Sequence, residues 1–235
     1  MDLIREHWTQ KDYENFRIFL QSLADEKYKD FSSRLIPDTP LFYGIRTPLL
    51  RKTAKEISKG NFMEFLECKK NGYHEEIIIE GLVMAQIKCG YNEMLGYMKI
   101  FADKIYNWAI CDTVSFKQLK KHLDLFIDDA DYFIYNKNPW VVRFGFGCLM
   151  EFCLTEEYID RVLDYVASVD SDFYYVQMMQ AWLVATAAAK QRDKTIEFLQ
   201  AKKLNPVTQG MAIKKMRESY RISKEDKDLV KGFKY

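Results

Sequence analysis

Three stretches of the chain combine residue types that could act on a cationic or aromatic group. The first is Tyr106-Asn107-Trp108-Ala109-Ile110-Cys111-Asp112-Thr113-Val114-Ser115. It is expected to open a helix, and Trp108 and Asp112 stand four residues apart, on one helix face. The second, Asn138-Pro139-Trp140-Val141-Val142-Arg143, sets an arginine one turn after a tryptophan at the start of an apolar helix. The third runs from Tyr174-Tyr175-Val176-Gln177 to Trp182. A carboxylate such as Asp112 can stabilise developing positive charge or orient a water. An aromatic face favours a cation, and an arginine can hold a phosphate. Each stretch starts the first helix of an expected pair, so a repeat would bring Trp108, Asp112, Arg143 and Trp182 to one concave face. The alternative reading puts both tryptophans in the core and leaves Asp112 to cap a helix or pair with Arg143.

Other chemistries are excluded by absence of their motifs. There is no Gly-rich phosphate loop, no Gly-x-Ser-x-Gly and no His-Glu-x-x-His. His7, His74 and His122 are far apart and lack the spacing of metal ligands. No metal and no cofactor are expected.

The formal net charge is +1, but it is unevenly spread. Residues 190–235 carry 13 Lys/Arg against 6 Asp/Glu, a net of +7, and the remainder carries 22 against 28, a net of −6. A basic end on an acidic chain suits an acidic partner such as nucleic acid. Lys202, Lys203, Lys214, Lys215, Arg217 and Arg221 are the candidate phosphate contacts, which would fix position and affinity without reading sequence. The alternative is an ordinary solvated terminal helix.

The elements that must position these residues are helical. Ten Gly and five Pro in 235 residues are too few for the turns of a β-sandwich or barrel. Thr47-Pro48, Asn138-Pro139 and Asn205-Pro206 each pair a capping residue with proline ahead of apolar positions at helical spacing, which is how helices start. Further helices are expected over 11–27, 74–89, 92–104, 118–135, 156–168, 172–189 and 192–201. The helix over 74–89 is apolar enough to be buried all round. Residues 37–46 form the clearest non-helical segment. Longer apolar helices begin near 73, 106, 138, 172 and 206, at intervals of 33, 32, 34 and 34. That period predicts stacked helix pairs, an α-solenoid over residues 1–235 as a single domain. The tetratricopeptide pattern is absent, and looser HEAT-like pairs fit better.

No apolar stretch approaches the ~18 residues of a membrane span. The charged N-terminus does not read as a secretory signal, and five cysteines without a Cys-x-x-Cys pair fit a reducing compartment. A cytoplasmic protein is the expectation.

Taken in order, Phe42-Tyr43-Gly44-Ile45-Arg46-Thr47-Pro48, Cys111-Asp112-Thr113-Val114-Ser115, Trp140-Val141-Val142-Arg143, Tyr174 to Trp182 and Leu204-Asn205-Pro206-Val207 resemble the AlkD-type DNA alkylation repair proteins, the HEAT-like-repeat DNA glycosylases. The resemblance spans roughly residues 12–220. It implies a curved all-α solenoid that holds duplex DNA, alkylated or distorted, on a basic concave face, as a monomer without metal or membrane. Active members of that family remove cationic N-alkylated purines such as 3-methyladenine and 7-methylguanine. Arg143 and Trp182 match the family's arginine and tryptophan. The working Trp and Asp of the family's Trp-Asp-x-Val-Asp segment fall on Cys111 and Ser115, and serine has no charge to offer an oxocarbenium ion. The leading reading is DNA binding, with Arg143, Lys214, Lys215 and Arg217 on phosphates and Trp108 and Trp182 against the duplex, and with excision weak or absent. In a shifted register, Asp112 with Trp108 would restore a glycosylase. A third reading is a helical-repeat scaffold for protein partners.

Overall fold

The computed structural model describes residues 1–36, 39, 41–70 and 72–235. The described residues form helices and no strand. They fall into two compact units, Met1–Gln118 and Leu119–Tyr235.

The first unit contains α1 (Gln10–Ser22), α2 (Glu26–Ser33), α3 (Thr47–Ile57), α4 (Phe62–Glu67), α5 (His74–Met84), α6 (Tyr91–Ala102) and α7 (Trp108–Thr113). The second contains α8 (Leu123–Asp129), α9 (Asp131–Ile134), α10 (Pro139–Phe152), α11 (Ile159–Ser168), α12 (Tyr174–Lys190), α13 (Arg192–Gln200), α14 (Pro206–Glu218) and α15 (Lys224–Leu229). Short 3-10 turns lie at Lys117–Lys121 and Val230–Phe233.

The period read from the sequence reappears as helix starts at His74, Trp108, Pro139, Tyr174 and Pro206. In the second unit α12 packs against α10 on one side and α14 on the other, while α11 packs against α13. First helices thus meet first helices and second helices meet second helices, the arrangement that a 34-residue period demands. In the first unit α5 packs against α3, α6 and α7.

Local chemistry explains most boundaries. Asn138 and Asn205 cap α10 and α14, their side chains accepting from the N–H groups of Trp140 (3.0 Å) and Thr208 (2.8 Å). Thr47 does not cap. It is the first residue of α3, behind Arg46, which makes no side-chain cap, and Pro48 sits in the first turn. The helix expected over 11–27 ends at Ser22, because Asp25 starts α2 by accepting from the Tyr28 N–H at 3.0 Å. The helix expected over 118–135 is a 3-10 turn followed by α8 and α9. In the expected non-helical segment 37–46, residues 37, 38 and 40 lie outside the described residues, and 41–46 carry no helix.

Every residue of α5 is buried, including three carboxylates that the apolar run conceals. Glu75 accepts the backbone N–H groups of Tyr43 (3.0 Å), Gly44 (2.7 Å) and Ile45 (3.1 Å). Burial pushes its carboxyl above the ordinary range, and the three donors pull the other way. Glu76 accepts from Arg17 Nε and the Tyr43 hydroxyl, both at 3.1 Å, and Glu80 accepts from Lys104 Nζ at 2.6 Å. These carboxylates tie the 43–45 segment, α1 and the end of α6 to α5, because a buried charge is tolerated only when partnered.

Candidate nucleic-acid interface

The first unit holds the Trp108–Ser115 stretch. Asn107 is buried and caps α7, its Oδ1 accepting the Ile110 N–H at 3.0 Å. Helix α7 then lasts only to Thr113, since Val114 is extended at φ −102°, ψ 127°. Thr113 closes the end by donating its hydroxyl to the Ala109 carbonyl at 2.6 Å, and Arg51 Nη2 donates to the Thr113 carbonyl at 2.9 Å. Trp108 and Asp112 sit in one short helix, as their spacing predicts. Asp112 is exposed, and Trp108 is half-buried with its indole N–H given to the Leu35 carbonyl at 3.1 Å. Cys111 is buried in the core, and Ser115 is half-buried beyond the helix end. Neither position 111 nor position 115 holds a carboxylate.

The second unit brings Arg143 and Trp182 together. The Arg143 guanidinium carbon lies 5.6 Å from the Trp182 ring centre and 5.9 Å from that of Tyr175. Nη1 donates to the Tyr175 carbonyl at 2.7 Å. Arg143 is only 1% exposed. The sequence expectation sets Arg143 on backbone phosphates; here its guanidinium faces the Tyr175 carbonyl and two aromatic rings, which offset the loss of water. Trp182 remains 37% exposed, so it is the member of the pair that can meet a ligand. At the start of α12, Trp140 packs 5.0 Å from Tyr175 and 5.2 Å from Phe173, ring centre to ring centre.

The cations of α14 divide. Lys214 and Arg217 are exposed and, with Pro206 and Gly210, form one helix stripe that lines a cleft of about 470 Å³. Lys234 and Tyr235 complete its lining. Tyr235 is tied back by its hydroxyl, which donates to the carbonyls of Lys202 (2.7 Å) and Leu204 (2.8 Å). Lys215 is half-buried and paired with Glu218 at 3.0 Å, so much of its charge is compensated locally. Sequence reading missed Lys234, because its place beside Lys214 depends on how the last residues fold back.

No group of His, Cys, Asp and Glu able to hold a metal occurs among the described residues. No helix among them is long and apolar enough to cross a membrane.

Paired helices, a braced tryptophan and a cleft lined by exposed cations define an all-α, solenoid-like protein. A family model described as DNA alkylation repair enzyme matches residues 17–216. The chain belongs to that family. No curated protein matches it.

Proposed function

We propose that this protein binds double-stranded DNA, alkylated or distorted, and does not excise bases. The observation that carries the reading is an exposed tryptophan and two exposed cations in the second unit. Trp182, Lys214 and Arg217 are exposed, and Ser115, which the resemblance sets at the family's catalytic aspartate, carries no charge. Excision of a cationic base needs negative charge where the sugar becomes an oxocarbenium ion. Binding needs only cations for phosphates and an aromatic face. Lys215 and Trp108 contribute less, the first through its pairing with Glu218 and the second through its bond to Leu35. The protein works as a monomer in the cytoplasm, without metal or cofactor.

One observation favours a second reading. Asp112 is exposed and stands four residues after Trp108 on α7, which gives the two a Trp-x-x-x-Asp spacing on one short helix. It supports an active glycosylase for 3-methyladenine and 7-methylguanine. The experiment that separates the readings quantifies released base and duplex binding for the wild type and Asp112→Asn. Binding without release supports the first. Release that Asp112→Asn abolishes supports the second. Neither binding nor release supports a scaffold for protein partners.

A further inference from the structure

The cleft of the second unit has two walls. One is the stripe Pro206, Gly210, Lys214 and Arg217 of α14, and the other is Lys234 with Tyr235. The second wall is fastened on both sides of Lys234. Before it, the fully buried Gln209 donates from Nε2 to the Phe233 carbonyl at 3.0 Å and to the Leu199 carbonyl at 2.7 Å. After it, the Tyr235 hydroxyl holds to the Lys202 and Leu204 carbonyls. The backbone of Lys234 is thereby set opposite α14 before any ligand arrives.

Gly210 stands inside α14, where glycine lowers helix stability relative to alanine. No heavy atom lies within 4 Å of the place its Cβ would take. A side chain there would meet no neighbour and would occupy the cleft instead. Packing therefore does not require glycine at this position, whereas an open cleft does.

Lys214, Arg217 and Lys234 line the cleft, and among the described residues no carboxylate does. The acids that feel Lys214 and Arg217 are Glu218 and Asp228. Each is paired with a different lysine, Glu218 with Lys215 at 3.0 Å and Asp228 with Lys231 at 2.5 Å. A backbone phosphodiester carries a single negative charge. A phosphomonoester carries nearly two at neutral pH and offers three acceptor oxygens. Three cations, one of them an arginine able to hold two oxygens in its plane, match the monoester better. The Tyr235 ring, 61% exposed, offers a flat face to an attached base. The volume of about 470 Å³ falls within the ~300–1,000 Å³ of small-molecule sites.

We infer that this cleft binds a phosphomonoester, the terminal phosphate of a nucleic-acid strand or that of a free nucleotide, held by Lys214, Arg217 and Lys234 over Gly210. The inference rests on the reading of α14 as a phosphate-binding helix and narrows it from any backbone phosphate to a terminal one.

The full chain is titrated by fluorescence anisotropy with one labelled duplex bearing 5′-phosphate ends and with the same duplex bearing 5′-hydroxyl ends. Calorimetry then compares deoxyadenosine monophosphate with deoxyadenosine. The phosphorylated duplex is expected to bind at least fivefold more tightly, and the monophosphate to bind where the nucleoside does not. An end preference assigns the cleft to strand termini; monophosphate binding without one assigns it to free nucleotides. Gly210→Leu, which fills the cleft, and Lys234→Ala are each expected to abolish the phosphate effect. Gly210→Leu is expected to melt no lower than the wild type, because leucine suits a helix better than glycine. Equal affinity for the two duplexes with no monophosphate binding at millimolar concentration overturns the assignment. So does a phosphate effect that survives either folded variant, or a nucleoside that binds as well as the monophosphate. A wild type that binds both duplexes equally and no monophosphate condemns the cleft assignment alone. One that binds the monophosphate and neither duplex condemns the duplex reading alone.

Discussion

The Arg143 guanidinium faces the Trp182 ring at 5.6 Å while one of its nitrogens donates to the Tyr175 carbonyl at 2.7 Å. Helix α10 thereby fixes the half-exposed tryptophan of α12 from behind. An arginine that is always charged and planar suits this better than lysine, because it can donate in its plane and lie over a ring at once. The arginine positions the aromatic face, and that face remains open to solvent.

Arg143→Ala should therefore damage stability first. It empties a large buried volume and strips the Tyr175 carbonyl of its donor, which should cost about 3 kcal/mol. Arg143→Lys should retain part of this. Urea denaturation of both variants checks it, and an Arg143→Ala protein as stable as the wild type would refute the bracing role.

Gly44 has φ +91°, and a Cβ there would lie 2.5 Å from Lys29 Cβ and 3.1 Å from the Asp25 carbonyl oxygen. Gly44→Ala should destabilise by about 2 kcal/mol or more through backbone strain and overlap. Glu75→Ala should cost about 3 kcal/mol by orphaning the N–H groups of Tyr43, Gly44 and Ile45. Thermal melts of each variant measure both.

His74 gives a pH signature. Its folded-state pKa is lowered to about 4 from the ordinary 6.5. As pH falls through that window the unfolded chain takes up the proton and the folded chain does not, so acid favours unfolding. The contribution is fully present above pH 6.5 and is lost toward pH 4, up to about 3 kcal/mol. The stability difference between wild type and His74→Phe, followed by urea titration from pH 7 to pH 4, should narrow or reverse against the wild type. A difference independent of pH would contradict a neutral buried His74.

The double variant Lys214→Glu/Arg217→Glu should weaken duplex binding at every sequence alike. If each cation neutralises one phosphate, the slope of log affinity against log salt should fall by about 2. Fluorescence anisotropy at several salt concentrations reads this directly, and an unchanged slope would remove the α14 cleft from the interface.

Much of this was legible in the sequence, and the failures have physical causes. The spacing of apolar runs placed the starts of α5, α7, α10, α12 and α14 within two residues, since each needs a buried face of that length. Asn138 and Asn205 announced their caps because a short polar side chain before proline has one good local use. The shortness of α7 was hidden, because the extended backbone at Val114 has no strong breaker to mark it. The carboxylates of α5 were masked by the apolar run around them; the partners of Glu75 and Glu76 lie 30 or more residues earlier in the chain, and Lys104, which pairs with Glu80, lies 24 residues later. The inward turn of Arg143 depends on α12, and the Asn107–His74 bond joins residues 33 apart, so neither follows from local spacing.

The central claim, DNA binding without excision, is met most directly by one experiment. Purified protein is incubated with duplex containing 7-methylguanine and 3-methyladenine, and both bound DNA and released base are quantified. The account predicts salt-sensitive binding, reduced by Lys214→Glu/Arg217→Glu, with base release no higher than in protein-free controls. Release above those controls that disappears in a folded Asp112→Asn protein would contradict it, and so would a wild-type protein that does not bind the duplex.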